Sequence, residues 1–259
     1  MTDAQRYKRL ERIQLKVLFT VPFFAPGVAK LPGVFDSSIV PATACTDGKE
    51  IRWHPEFFDS QDDNVNVTIL CHEVLHPLLG HLWRMPAGGC PLTWNEATDY
   101  RLNGMLRDFA KELTSKGLAD PFPMPEGALV SDSFPDMSEE QVYNILALQK
   151  PPGGSGGGSG GGGCGPGGLI GGAGKPGPGQ NGQPGQKPGS GQPAHGAGGS
   201  GKRSIGHFTP QGPGQPGAKE AKADWDGTFR QSFEAAKGRG NIPGSVIELL
   251  KEMLSPKVP

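Results

Sequence analysis

No stretch of this 259-residue chain approaches the roughly 20 consecutive apolar residues that would cross a bilayer, so a membrane-spanning helix is not expected. Net charge is equally scarce. The chain has 25 Lys and Arg against 26 Asp and Glu, which leaves a formal charge of −1 and a pI near 6.6. There is no global basic field to hold a nucleic acid or an anionic surface. Cysteines number four (Cys45, Cys71, Cys90 and Cys164) with no CxxC pair. That excludes a disulfide framework and a structural zinc knuckle and points to reduced thiols. The N-terminal residues mix Arg, Lys, Glu and Asp among the apolar ones and lack the unbroken apolar region of a signal peptide. A cytoplasmic location is the expectation. What the chain has in excess is glycine and proline, at 42 and 26 residues.

Those two residue types divide the chain. Residues 1–149 have ordinary hydrophobic content and should form one domain. Residues 150–218 are mostly Gly, Pro, Ser and Gln, too poor in large apolar side chains to offset ordering entropy, and are expected to be a disordered tether. Residues 219–259 turn amphipathic again. Trp225, Phe229, Phe233 and Ala236 mark one helix there, and Val246, Ile247, Leu249, Leu250 and Met253 mark a second. Two such helices are too small to stand alone and should dock on the first domain or on another one.

Within the first domain, a helix is expected from Asp3 to Phe19, with Leu10, Ile13, Leu15, Val17 and Leu18 as its apolar positions, ended by Pro22 and Pro26. Ala42 to Thr46 and Glu50 to Trp53 flank Asp47-Gly48 and read as a hairpin. A further helix should be capped by Asp62, Asp63 or Asn64 and run to His76, with Pro77 kinking or ending it. Val67, Leu70, Cys71, Val74 and Leu78 fall on one stripe of that helix, and the opposite face should open to a cleft. Cys71 reads as a small core residue. Thr93 to Glu96 and Ser138 to Gln141 both have capping-box spacing and announce two more helices. The fold class expected is α+β, mainly helical, with a small hairpin or sheet.

One pentapeptide carries the chemistry. His72-Glu73-Val74-Leu75-His76 is HExxH: on a helix the two histidines share a face and can reach one metal, with Glu73 beside them as general base. A hydrolytic zinc takes three protein ligands and keeps one position open for water. Three residues compete for the third place. His81 lies about 180° around a continuous helix from His72, so only the Pro77 kink keeps it eligible. Glu96 has a structural task in the Thr93 capping box. Asp99 sits inside a helix on one face with Asn95, Asn103 and Leu106, a setting in which a carboxylate needs a partner, and the balance favours it. Arg84, Tyr100 and Arg101, with His81, are candidates to orient substrate or stabilise an oxyanion, although packing and ion-pair roles are the commoner use of such residues. His54, His195 and His207 carry no spacing signal, and Trp94 reads as a core anchor.

His72 to Arg84 (HEVLHPLLGHLWR), followed by Trp94 to Asn103 (WNEATDYRLN), resembles the bacterial and phage putative metallopeptidase domain that commonly precedes a von Willebrand factor A-like domain. Asp47-Gly48-Lys49 and Trp53-His54-Pro55 match its upstream positions, with His54 where Asn is usual. The resemblance covers about residues 4–149 and, more weakly, the helices after the tether. It implies a zincin-like fold, Zn2+ as cofactor, His72, His76 and Asp99 as ligands, Glu73 as the catalytic acid/base, a protein or peptide substrate, and a von Willebrand factor A-like or ATPase partner. Two other functions stay open on the residues alone. One is a non-peptidase zinc hydrolase such as an endoribonuclease, which would recruit His81. The other is a zinc-stabilised, non-catalytic binding or adaptor module.

Overall fold

The computed structural model describes residues 1–117, 119–134, 137–149, 206–208, 216–238, 244 and 247. Helix α1 (Asp3–Thr20) opens on a reciprocal cap. The Thr2 hydroxyl accepts the Gln5 N–H, and the Gln5 side chain accepts the Thr2 N–H. Leu10, Ile13 and Val17 are buried, but Leu15 is 54% exposed. It lies about 140° around the helix from Leu10, so it cannot share that face. Pro22 and Pro26 do more than end α1. Pro22 begins a 3-10 turn, Pro22–Phe24, and Pro26 lies in the first turn of α2 (Ala25–Lys30), where a missing N–H goes unfelt.

The sheet has four strands, β1 (Gly33–Phe35), β2 (Ala44–Thr46), β3 (Ile51–Trp53) and β4 (Gly206–Phe208), in the order β1-β3-β2-β4. The expected hairpin is β2 and β3, paired antiparallel with Ala44 opposite Trp53 and Thr46 opposite Ile51. Its turn is closed by Asp47 Oδ1, which accepts the N–H groups of Lys49 and Glu50, and by Gly48 at φ 81°. Strands β1 and β4 add in parallel to β3 and β2. Neither was expected. For residues 206–208 the tether expectation is corrected to a strand, one too short to show a period and held by its pairing with β2 and by burial of Phe208. The rest of that stretch up to 205, residues 209–215, and the helix expected at 246–253 lie outside the described residues, save Ile247.

Helix α3 (Pro55–Ser60) leads to α4 (Asp63–Leu78), which carries the HExxH residues. Asp62 caps α4 by accepting the N–H groups of Asn64 and Val65. Every residue from Asn66 to Leu78 is buried, so the two-faced helix expected from the sequence is corrected to a central one. Helices α1, α2 and α6, strands β2 and β4 and the C-terminal helix α8 all pack on it. Pro77 does not stop α4 at His76. The helix runs to Leu78 and ends through Leu79 N–H to Leu75 O (2.9 Å) and Gly80 N–H to Pro77 O (3.1 Å). Gly80, at φ 72°, then reverses the chain into α5 (His81–Arg84).

Helix α6 (Pro91–Ser115) begins at Pro91 with Cys90 as N-cap, so the Thr93 capping box is corrected too. Proline at the first helical position outranks the box two residues later. The Ser138 box forms as expected at the start of α7 (Glu139–Gln149), through Ser138 N–H to Gln141 Oε1 and Gln141 N–H to Ser138 Oγ. Helix α8 (Ala218–Lys237) buries Trp225, Phe229 and Ala236 against α2, the 3-10 turn and α4, and Trp225 Nε1–H donates to Gly48 O at 3.1 Å. Among the described residues no helix is long and apolar enough to cross a membrane.

Candidate metal centre

Two helices supply the centre. On α4, His72 and His76 stand one turn apart with ring centroids 4.7 Å apart and Nε2 atoms 3.0 Å apart. Asp99, on α6, brings Oδ1 to 3.4 Å from His72 Nε2 and 3.5 Å from His76 Nε2. All three side chains have zero exposure. Ligands about 2.0–2.1 Å from a tetrahedral ion stand about 3.4 Å from one another. The observed triangle has that size, and two imidazoles with one carboxylate form a donor set suited to a divalent transition metal. Among the described residues this is the group of His, Cys, Asp and Glu side chains that can hold a metal ion. Glu73, fully buried beside His72 on α4, is close enough for its charge to help raise the His72 pKa. Burial is the largest single influence and opposes that rise, but Asp99, Glu73 and the Asn103 hydrogen bond together outweigh it, so a metal would compete with a proton for the His72 lone pair.

The outer contacts orient both imidazoles. His72 Nδ1 lies 3.0 Å from Asn103 Oδ1, and Asn103 Nδ2 donates to Leu129 O at 3.1 Å. The Asn103 amide is thereby fixed with its oxygen towards His72, which donates Nδ1–H and keeps the Nε2 lone pair. His76 Nδ1 lies 3.2 Å from His81 Nδ1, and His81 Nε2 lies 3.2 Å from Glu139 Oε1. Burial lowers the His81 pKa and favours the neutral ring. The network assigns its one proton to Nε2, facing Glu139, so His81 Nδ1 accepts from His76. Burial would raise the Glu139 carboxyl, but the His81 hydrogen bond and the Arg84 guanidinium hold it well below the usual carboxylate range.

His81 therefore lies behind the His72, His76 and Asp99 triangle and outside it. The Gly80 turn puts it there. His81→Ala is expected to weaken metal binding by about 10–100-fold, measured by competition with a chromophoric chelator, because His76 loses the acceptor that fixes its tautomer. Glu96 is half-buried on α6, outside the triangle, and the N-cap of that helix is Cys90 in place of the expected Thr93. Arg84 is an ion-pair residue, with Nη2 at 3.0 Å from Glu139 Oε2 and 2.8 Å from Glu140 Oε1. Tyr100 and Arg101 line a separate cavity of about 190 Å³ with Arg107 and Asp132, away from the triangle. Trp94 is buried and donates Nε1–H to His81 O at 3.0 Å. Cys71 is a core thiol whose pKa burial raises well above its ordinary value.

Sequence reasoning did not single out Asn103 and Glu139 as partners of the histidines. Asn95, Asp99 and Asn103 recur every four residues on α6, a polar stripe that was visible and that contains the residues facing His72 and His76. Glu139 gave no such signal, since an acidic residue in a first helical turn is ordinary.

The chain matches no curated protein and no solved structure. A family model described as a putative metallopeptidase domain matches residues 6–259, a span that includes α8 as well as the ligand helices. With a buried His-His-Asp triangle at the centre of that span, the chain belongs to the putative metallopeptidase domain family.

Proposed function

We propose that the chain is a zinc metallopeptidase in which His72, His76 and Asp99 hold the ion and Glu73 is the general base. The observation that carries this reading is the triangle of ligand atoms, 3.0, 3.4 and 3.5 Å on its edges, with Glu73 next to one of its corners. Zinc in such a site supplies a Lewis acid that polarises a carbonyl and acidifies water. Glu73 takes a proton from the attacking water as its oxygen bonds to the amide carbon. It delivers that proton to the amide nitrogen as the C–N bond breaks, so the products are a carboxylic acid and an amine. Asn103 and His81 keep the two imidazoles in the tautomer that presents Nε2 to the ion.

An endoribonuclease-like hydrolase would need His81 as a ligand, and the engagement of His81 by His76 and Glu139 argues against that use. Purified full-length protein is expected to carry about one equivalent of zinc by elemental analysis. A chelator should abolish cleavage of a proteome-derived peptide library, and added zinc should restore it. Cleavage that persists in metal-free protein would overturn the proposal.

A further inference from the structure

His72, Glu73, His76 and Asp99 all have zero exposure, so a peptide can reach them only if part of the cover moves. Helices α5 and α6 cannot leave without taking a metal ligand or its support with them. Strand β4 is different. It spans three residues, lies at the edge of the sheet and pairs with β2. Its Phe208, 3% exposed, places its ring 4.6 Å from the His76 ring and 6.3 Å from that of His81. Phe208 N–H donates to Asn95 Oδ1 at 3.3 Å, and Asn95 stands one turn before Asp99 on α6. Phe208 is also the only Phe, Tyr or Trp between residues 150 and 224.

An extended segment thus lies along β2, gives one main-chain N–H to a residue flanking a metal ligand, and lays one large apolar side chain on a ligand imidazole. These are the contacts by which an extended peptide binds through strand addition. We propose that the β2 edge, Asn95 and the surface over His76 form a binding site for an extended peptide bearing an aromatic or large aliphatic side chain, and that Gly206–Phe208 is its internal occupant. The identification of that peptide as a substrate rests on the peptidase reading above; the binding itself does not. An occupant on the same chain competes at an effective concentration of about millimolar, so the site stays filled until a better ligand displaces it.

The test uses full-length protein with Glu73→Gln, so that no cleavage enters, and a fluorescent peptide with the sequence of residues 204–210 as probe. By anisotropy, the chain that also carries Phe208→Ala should bind the probe at least about tenfold more tightly than the chain with Phe208 intact. Phe208→Leu should fall between them, and a probe with glycine in place of phenylalanine should not bind. Equal binding with and without Phe208, or none by a Phe208→Ala chain that melts with its parent, would overturn the site. If Phe208→Ala melts early, the Leu variant decides, and binding equal to that of the intact chain overturns the proposal. In the Glu73 background Phe208→Ala should also raise peptide cleavage about tenfold. Probe binding without any cleavage would sink the peptidase reading and leave the site standing.

Discussion

Glu73→Gln should lower peptide turnover by about 10²–10⁴-fold while metal content stays at the wild-type level, because a positioned general base contributes about that much. The amide matches the carboxylate in size, so the packing of α4 changes little. It does not take up a proton near neutral pH, and the water loses its acceptor. The position is fully buried and the residue is no part of the ligand triangle, so loss of metal is not the expected route. Zinc content by elemental analysis and kcat on a single identified peptide would be measured on the same preparation. Unchanged turnover at full zinc occupancy would remove Glu73 from the mechanism and the HExxH reading with it.

Asp99→Ala should weaken metal binding by more than the ~10–100-fold expected for an outer contact such as His81. It removes one of the three proposed ligands and the negative charge that would offset a divalent ion. Without Asp99 the largest influence raising the His72 pKa also disappears, so proton competition for that imidazole eases and slightly reduces the loss. The ligand deficit is far the larger effect. Chelator competition on wild-type, Asp99→Ala and His81→Ala proteins gives the comparison directly. A ranking in which His81→Ala loses more than Asp99→Ala would move the third ligand to His81 and reopen the non-peptidase reading.

The parts of this molecule that were legible in its sequence are the ones whose signals are local. The Asp62 cap, the Asp47-Gly48 turn, the Ser138 capping box and the one-turn spacing of His72 and His76 each need only a few neighbouring residues, and each is present. The position of Asp99 was legible because a carboxylate among apolar neighbours inside a helix needs a partner, and His72 and His76 lie within 3.5 Å of it. Where two local signals competed, the choice went wrong. Pro91 starts α6, although Thr93 and Glu96 have the better-known pattern. Strands β1 and β4 were illegible because three residues hold no period and their partners lie elsewhere in the chain. The relay from Glu139 to His81 spans 58 residues and depends on a reversal at Gly80 that follows an unbroken, proline-containing helix. No pairwise spacing encodes that.

The complete burial of the ligand triangle separates two properties that are commonly treated as one. How tightly an ion is held depends on the donor atoms; how fast it enters or leaves depends on how often the surrounding shell opens, since no donor atom meets solvent in the closed fold. A substitution in the shell that touches no ligand can therefore speed metal exchange and leave the equilibrium constant where it was. For this chain, a protein prepared without its ion and one that cannot bind it would look alike on a short incubation, and only time would tell them apart.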